Sequence, residues 1–459
     1  MLYWVLFIIT ICPLDSRHIT MIIMKFGGSS LAGPASIKTV TEIIKARLAR
    51  RPVIVVSAHK GATDILFGLA RGAVTGRFNT REFNTLHRNI TDALGIEHNI
   101  IDDDIAEMEE LLKGISYVKE LTPRSLDYVV SFGEKLSSRI IAAHLTKSGV
   151  PALAYNTCDL GLITDSTFGS ANPLPESDAA LAENLSGIRD VTPVVTGYIG
   201  RNKEGDITTL GRNGSDYTAS IIGAALGADE VQLWSDVDGV MTADPRVVPQ
   251  AAPLRQLSFR EAGELAYYGA RIIHPSTMVP SIRKKISIRV LNTYKPESEG
   301  TIILDECREE PGTVKAIAFK KGLYLINIVS TRMLLQHGFV AKIFEIFNQY
   351  RIVIDMIATS EVSVSMTTDT GRNLKAAVRE MSRFADVTVQ DNKAIICVVG
   401  EGIAESLDTP ARVFSSLSKN GIIVRMISQG ATKINLAFLV DDAAAEPAVK
   451  TLHGILFEN

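Results

Sequence analysis

The chain has 459 residues, enough for roughly three domains, and 46% of them are apolar and 22% charged. Its 48 basic and 51 acidic side chains give a net charge of -3. No large basic block is present, so the charge pattern excludes a typical nucleic-acid-binding protein. The four cysteines are scattered without the spacing of a disulfide framework or a zinc site, which is typical of proteins from a reducing cytosol.

The N-terminal segment MLYWVLFIITIC is apolar. It is too short to span a bilayer, and it lacks the basic start and small-residue cleavage site of a secretory signal. A strand-like run, MIIMKF, begins at Met21. We therefore expect residues 1–20 to be a non-structural extension rather than a signal or an anchor, and we predict no membrane partner.

From residue 21 to about residue 292, apolar β-rich runs alternate with longer segments of helical spacing. This pattern predicts a parallel sheet covered by helices on both faces. The predicted strands are MIIMKF, PVIVVSA, VPALAYN, TPVVTGYIG, EVQLWSDV and SIRVLN, and two of the helices are ASIKTVTEIIKARLA and DYTASIIGAALGA. The charged segment 83–121 predicts a helical insertion. Because NTYKPESEGT changes the composition, we assign 21–296 to one domain and 297–314 to a linker.

The remaining residues contain an internal repeat. AKIFEIFNQYRIVIDMI, from Ala341, aligns with ARVFSSLSKNGIIVRMI, from Ala411, at an offset of 70 residues. Each copy predicts a ferredoxin-like βαββαβ unit, which gives two small domains at 315–390 and 391–459 whose boundaries can interleave. Such a pair is either a structural or dimerisation module or, as we favour, a module that binds a small ligand between its units.

Two glycine-rich loops and one aspartate-rich loop follow predicted strands. MKFGGSSLAG places Lys25 at a strand end, before Gly27 and Gly28; alone, such a Gly pair is most often a turn. TTLGRNGSDYTAS places Arg212 between two glycines and opens a helix, where Ser215 and Asp216 are also good N-cap residues. The third loop is WSDVDGVMTADPR. All three fall at the sheet edge where ligands bind, and the glycines and the helix start suit a phosphate.

The motifs KFGGSS, SFGEKLSSRII, TTLGRNGSDYTA, WSDVDGVMTADPR, YGARIIHP and TSEVSV resemble, in this order, those of the aspartate kinases of the amino acid kinase family. The resemblance covers Met24 to Asn459. It implies an α/β fold, an amino acid kinase-like three-layer parallel-sheet sandwich followed by two ferredoxin-like ACT domains. The order of motifs separates this family from acetylglutamate, glutamate, uridylate and carbamate kinases.

The resemblance also implies an activity. ATP, with Mg bound through its phosphates, would phosphorylate the side-chain carboxylate of L-aspartate to give L-aspartyl 4-phosphate, the first step toward lysine, threonine and methionine. Catalysis would consist of positioning and charge stabilisation without a covalent intermediate. An end-product amino acid would inhibit, lysine being favoured and threonine possible. The resemblance further implies a cytoplasmic homodimer or larger homo-oligomer assembled through the ACT domains.

Site residues follow from the same match, and no metal site built from protein side chains is implied. Lys25 would be the catalytic counter-charge and Asp216 would orient it. The other expected residues are Phe26, Gly27, Gly28, Ser235, Asp236, Met241, Arg246 and Arg271 with Lys25 for ATP; Thr63, Glu134, Arg212 and Ser215 for aspartate; and Met333, Phe339, Asp355 and Ser360 for the effector.

The chain departs from the family pattern at several matched positions. Ser29 replaces threonine and keeps the hydroxyl, while Asn213 replaces a glycine that tolerates left-handed backbone, as Asn also does. Met241 stands where tyrosine is common, and Arg271 stands where lysine is common. Leu335, Gln336 and Val353 replace polar or small residues near the effector positions. The alternatives are a non-catalytic amino acid sensor and a kinase for another amino acid.

Overall fold

An eight-stranded, largely parallel sheet forms the centre of the N-terminal part of the chain. The structure is a computed structural model that describes residues 21–269, 273–307, 312–330, 337–430 and 433–458. The expected extension 1–20 therefore lies outside the described residues, as do Arg271 and Met333. The strand order in this sheet is third, fifth, second, first, eighth, tenth, eleventh and ninth.

The strands and helices of this part are numbered in chain order. The strands are β1 (Ile22–Phe26), β2 (Val53–Val56), β3 (Ala152–Tyr155), β4 (Ile163–Thr164), β5 (Thr192–Thr196), β6 (Ile199–Asn202), β7 (Ile207–Thr209), β8 (Glu230–Ser235), β9 (Gln256–Ser258), β10 (Ser287–Asn292) and β11 (Thr301–Leu304). The helices are α1 (Pro34–Lys45), α2 (Ala62–Val74), α3 (Arg81–Leu94), α4 (Asn99–Val118), α5 (Pro123–Lys147), α6 (Glu176–Ser186), α7 (Gly214–Leu226), α8 (Phe259–Tyr267) and α9 (Pro275–Lys284).

Helices cover both faces of the eight-stranded sheet, so the predicted three-layer arrangement is confirmed. Successive side chains of a strand point to opposite faces. Ile22 and Met24 of β1 therefore belong to the core under α1–α5, whereas Ile23 belongs to the core under α6–α9. The segment 83–121 forms α3 and α4, as expected for a helical insertion. TPVVTGYIG, expected as one strand, divides into β5 and β6 because Tyr198 adopts a left-handed φ of 69°.

The eight-stranded sheet extends into the segment expected as a linker, 297–314. There β11 pairs antiparallel with β10, with Ile303 opposite Ile288 and Thr301 opposite Val290. The polar stretch 293–300 is thus the connection of a hairpin rather than the start of a linker. Its composition resembles that of a linker because hairpin loops use the same Gly, Pro and Ser residues.

One six-stranded antiparallel sheet carries the C-terminal part of the chain. Its strands, in the order β13-β14-β12-β15-β17-β16, and its helices complete the numbering. They are β12 (Ala316–Val329), α10 (Phe339–Gln349), β13 (Met356–Thr359), β14 (Ser363–Thr368), α11 (Leu374–Met381), β15 (Asp386–Val399), α12 (Asp408–Lys419), β16 (Met426–Ser428), β17 (Asn435–Asp441) and α13 (Ala445–Phe457).

The two repeat units interleave through the long strands β12 and β15. Residues 323–329 of β12 pair within the first unit, whereas residues 316–320 pair with 395–399 and complete the second unit. A register shift between Lys320 and Leu325 separates the two halves of β12. The second unit therefore takes one strand from upstream of the first, and each unit has a hydrophobic core of its own. Among the described helices, none is both long and apolar enough to cross a membrane.

The hairpin of β10 and β11 depends on Gly300, which generates a prediction. Gly300 has φ +61°, and a Cβ there would lie 1.9 Å from the carbonyl oxygen of Val290. Gly322 also has a positive φ, +75°, but a Cβ there meets nothing within 4 Å. We expect Gly322→Ala to cost about 1–2 kcal/mol through the backbone alone and Gly300→Ala roughly 1–3 kcal/mol more through overpacking.

Urea unfolding of the two alanine variants beside the wild type measures this difference. Equal losses of stability would mean that Gly300 is not held against the Val290 carbonyl oxygen.

Candidate active site

A cavity of about 730 Å³ opens at the carboxyl edge of the eight-stranded sheet. It lies where β1, β2 and β8 end and α7 begins, which is the edge at which parallel sheets bind ligands. Eight of the residues expected from the sequence line this cavity together: Lys25, Gly28, Thr63, Glu134, Arg212, Ser215, Asp216 and Asp236. Residues that lie far apart in the sequence therefore meet at one place.

Lys25 and Asp216 form an ion pair at the floor of the cavity. The lysine lies at the penultimate position of β1 and the aspartate in the first turn of α7. Nζ and Oδ1 are 2.5 Å apart, and the two side chains are 12% and 13% exposed. An acidic side chain in the first turn of a helix is favoured by the helix dipole. The pair therefore fixes an ammonium at the strand end, where it can face a transferred phosphoryl group.

The loop after β1, residues 27–33, is called the phosphate loop below. A Cβ on Gly28 would lie 3.1 Å from the Ala58 carbonyl oxygen, so glycine permits the loop to approach the cavity closely. The expected phosphate contact from Gly27 needs correction, because its N–H already donates to the Trp234 carbonyl oxygen at 3.1 Å. Phe26 is also not at the cavity, since its ring is buried and stacks on Trp234.

Glu134 lies in the middle of α5 and is 4% exposed. Its Oε1 accepts a hydrogen bond from the Ala58 N–H at 3.1 Å, while Oε2 has no partner among the described residues. Burial raises the pKa of this carboxyl to about 8, against the lowering effects of the Ala58 N–H and the charge of Lys25. The carboxyl is therefore mostly protonated at pH 7, and a ligand ammonium beside Oε2 would favour the carboxylate.

The loop between β7 and α7 presents Arg212 and Ser215. Arg212 is exposed at the cavity, and within the described part of the chain its guanidinium makes neither a hydrogen bond nor an ion pair. It can therefore clamp a ligand carboxylate with two parallel hydrogen bonds. Asn213 adopts φ 57° and ψ 28°, in the left-handed region that asparagine tolerates better than most residues. Thr63, at the start of α2, lies half-buried across the cavity.

Most residues expected on the nucleotide side do not reach this cavity. Asp236 does, and it accepts the Ser29 hydroxyl at 3.4 Å. Ser235 instead accepts the Thr293 N–H at its carbonyl oxygen. Met241 pairs with Pro253 in an isolated β-bridge, and the Arg246 guanidinium is held by Asp244. The sequence motif places these residues near one another along the chain, but these contacts of Ser235 and Met241 are made by their backbone, and the Arg246 side chain pairs with an aspartate two residues away.

The expected effector residues are also separated. Phe339 is buried in the core of the first repeat unit against Phe384. Asp355 lies just before β13 and Ser360 just after it, roughly 16 Å apart along an extended strand. Ser360 is exposed and bonds to Ser363, whereas the Asp355 side chain is 3% exposed and accepts the Lys320 ammonium at 2.9 Å.

Several cavity residues were not expected from the sequence. They are Ser57, His59, Lys60, Asp64, Phe67 and Tyr198. All six residues follow β2 or β5, whose carboxyl ends lie at the same edge of the sheet as the carboxyl end of β1. Their positions after these strands are the sequence feature that could have identified them. Tyr294 lies in the polar stretch after β10, and its hydroxyl donates to the Ser29 carbonyl at 2.7 Å. The loop after β10 therefore supports the phosphate loop.

Comparison with known proteins identifies the family to which the chain is similar. Residues 20–292 match the amino acid kinase family, and residues 396–456 match an ACT domain. Aspartokinase 1, chloroplastic, of Arabidopsis thaliana is 41% identical over 98% of this chain and 82% of its own length. E. coli aspartokinase III with aspartate and ADP, in the R-state, gives a TM-score of 0.79 at 32% identity, covering 95% of this chain and all of the other. Its T-state complex with lysine and aspartate gives 0.74 at 33% identity, covering 95% and 99%.

The buried carboxyl of Glu134 generates a prediction about stability. Its pKa is about 8 in the folded chain and near 4.5 in the unfolded chain. Between these values the native state binds the extra proton, so this group makes the protein less stable as pH rises from about 4.5 to 8. Glu134→Gln keeps an oxygen for the Ala58 N–H but cannot ionise. The wild type should therefore lose stability relative to Glu134→Gln by about 1.4 kcal/mol per pH unit across this window.

Urea unfolding of both proteins at pH 5, 6, 7 and 8 gives the difference, in which contributions from other titrating groups cancel. Parallel stability curves for the two proteins would show that Glu134 is ionised at neutral pH.

Proposed function

The chain belongs to the aspartokinases of the amino acid kinase family, and we propose that it transfers the γ-phosphoryl group of Mg-ATP to the side-chain carboxylate of L-aspartate. The products would be ADP and L-aspartyl 4-phosphate. The observation that carries the proposal is the meeting of Lys25, Asp216, Glu134 and Arg212 at one cavity. A chain that had kept the fold only as a sensor would not need this set of charges.

Each end of aspartate has a complementary group in the cavity. Arg212 can hold the α-carboxylate bidentately, and Glu134 can accept the α-ammonium at Oε2. The side-chain carboxylate would then lie toward Lys25. Because phosphoryl transfer needs positioning and charge neutralisation rather than a protein nucleophile, the Lys25 ammonium can stabilise charge on the moving phosphoryl group.

The cavity also suits Mg-ATP. Magnesium is usually held by one or two carboxylates together with the phosphates of the nucleotide. Asp236 is exposed at the cavity, and its one side-chain hydrogen bond within the described residues comes from the Ser29 hydroxyl at 3.4 Å; Asp216 lies beside Lys25. When bound, Mg-ATP would supply the phosphoryl group and the positive charge of the metal. The Gly28 segment and the start of α7 would face those phosphates.

This reaction would begin the route to lysine, threonine and methionine, and we propose a cytoplasmic location from the scattered cysteines. A kinase for another amino acid is the second candidate, because Arg212 and Glu134 would also recognise the α-groups of glutamate.

The substrate is tested by measuring ADP release with aspartate and with glutamate. An extra methylene would displace the attacking carboxylate, and such a displacement can lower the rate about 100-fold. We expect aspartate to be phosphorylated at least that much faster than glutamate. Arg212→Ala should raise KM for aspartate far more than KM for ATP, because its guanidinium holds the amino acid only. Equal rates with the two acids would overturn the choice of aspartate.

We also propose that an end-product amino acid, lysine before threonine, inhibits the enzyme through its ACT domains. The lysine-bound T-state of the E. coli relative supports this choice. Asp355 would receive the effector ammonium, with Met333, Phe339 and Ser360 as further expected contacts. A homodimer or larger assembly through the ACT domains would bring Asp355 of one protomer close to the partner's repeat units.

The contacts of Asp355 suggest what the effector must displace. Lys320 bridges Asp355 and Asp369, at 2.9 and 2.8 Å. The hydroxyl oxygen of Tyr267, at the end of α8, lies 3.4 Å from Oδ1 of Asp355. An internal ammonium therefore already occupies the carboxylate that an effector ammonium would use. Because α8 lies in the kinase part, displacement of Lys320 would alter a contact between the two parts of the chain.

The effector site is tested by inhibition curves with lysine and with threonine. Asp355→Ala should relieve inhibition with kcat nearly unchanged. Lys320→Met should lower the lysine concentration for half-inhibition about tenfold, since a hydrogen bond to a charged group is worth about 1.5–3 kcal/mol. Lys321→Met is the matched control, because Lys321 pairs with Glu446 instead. Inhibition by threonine alone would identify threonine as the effector instead of lysine. If neither amino acid inhibits, the two repeat units would serve as an assembly module.

A further inference from the structure

His59 connects two loops of the cavity. It lies in the loop after β2, residues 57–61, called the acceptor loop here, and it is 1% exposed. Its Nδ1 is 2.8 Å from the carbonyl oxygen of Leu31 in the phosphate loop. A carbonyl oxygen can only accept a hydrogen bond, so Nδ1 carries the proton and donates it. The tautomer is thereby fixed, with Nε2 as the unprotonated nitrogen.

The environment keeps this ring neutral. Burial lowers the pKa of His59 to about 4, opposed by the hydrogen bond to Leu31. Nε2 has no partner among the described residues. The ring lies 5.4 Å from that of His87 on α3, whose Nδ1 bonds to the Phe83 carbonyl of its own helix at 2.8 Å. The hydrogen bond of His87 thus lies within one helix, whereas the hydrogen bond of His59 joins two loops.

Two further contacts show what the His59 bond controls. The Leu31 N–H donates to the carbonyls of Gly27 and Gly28, both at 3.2 Å, so Leu31 closes the turn of the phosphate loop. On the other side, the Ala58 N–H donates to Oε1 of Glu134. The backbone of the acceptor loop therefore lies between Gly28 and Glu134, and the His59 side chain attaches it to Leu31.

We propose that His59 is a positioning residue, whose Nδ1–H bond to Leu31 fixes the phosphate loop against the loop that orients Glu134 and so sets the distance between the nucleotide and amino acid sites. The inference rests on the proposed phosphoryl transfer. His59 contacts neither substrate in this role. Its loss should lower kcat, because a misplacement of about 1 Å between the reacting groups can cost about 100-fold.

Two amide variants test the inference. In His59→Asn the side-chain nitrogen occupies the position of Nδ1, so the donation to Leu31 is preserved. In His59→Gln the amide lies one methylene farther out and cannot reach Leu31 in the same geometry. Both variants are polar and uncharged, and they differ by one methylene. His87→Gln is the control, because it disturbs the same buried pair of rings without touching either loop.

We expect kcat of His59→Asn to stay within about threefold of wild type and kcat of His59→Gln to fall about tenfold or more. His87→Gln should lower the melting temperature but leave kcat of the folded protein within about threefold. Equal kcat values for the two His59 variants, whether both normal or both low, would overturn the positioning role, as would an equal loss of kcat in His87→Gln. A wild type without aspartate kinase activity would overturn the proposed function instead, so the two failures are distinguishable.

Discussion

The ion pair of Lys25 and Asp216 is the contact around which the cavity is arranged. It joins the central strand β1 to the first turn of α7, and both side chains are nearly removed from water. In such surroundings electrostatic interactions are less screened than at the surface. The pair therefore holds a positive charge in one place without the mobility of a surface lysine. In the proposed function, the pair also explains why the lysine precedes the glycines in KFGGSS: the strand presents the charge, and the loop beyond it would give space for phosphates.

The rest of the cavity follows from the parallel sheet. Because β1, β2 and β8 run in the same direction, their following loops meet at one edge, where the acceptor loop, the phosphate loop and Asp236 lie together. Glu134 enters from α5 and is held by the Ala58 N–H, so its position depends on the loop after β2. The groups that would recognise an amino acid and those that would face a nucleotide are thus coupled through backbone contacts.

The sequence predicts the parallel sheet and the repeat well, since both depend on local apolar periodicity. It predicts the cavity residues of the three loops because each follows a strand directly. It fails where long-range pairing decides. The Trp234 carbonyl oxygen accepts the hydrogen bond from the Gly27 N–H, and the Lys320 ammonium pairs with Asp355. No local pattern reveals these partners. The sequence does not single out His59 either, because its hydrogen bond to the Leu31 carbonyl joins two loops that are separate along the chain.

The most direct test of the account is the kinetics of Lys25→Met, measured with aspartate and ATP varied in turn. Because the ammonium would act mainly on charge that develops in the transition state, kcat should fall by about 100-fold or more. The KM values for aspartate and ATP should change only a few-fold. A variant with normal kcat and a strongly raised KM for ATP would contradict the account, since Lys25 would then only bind the nucleotide.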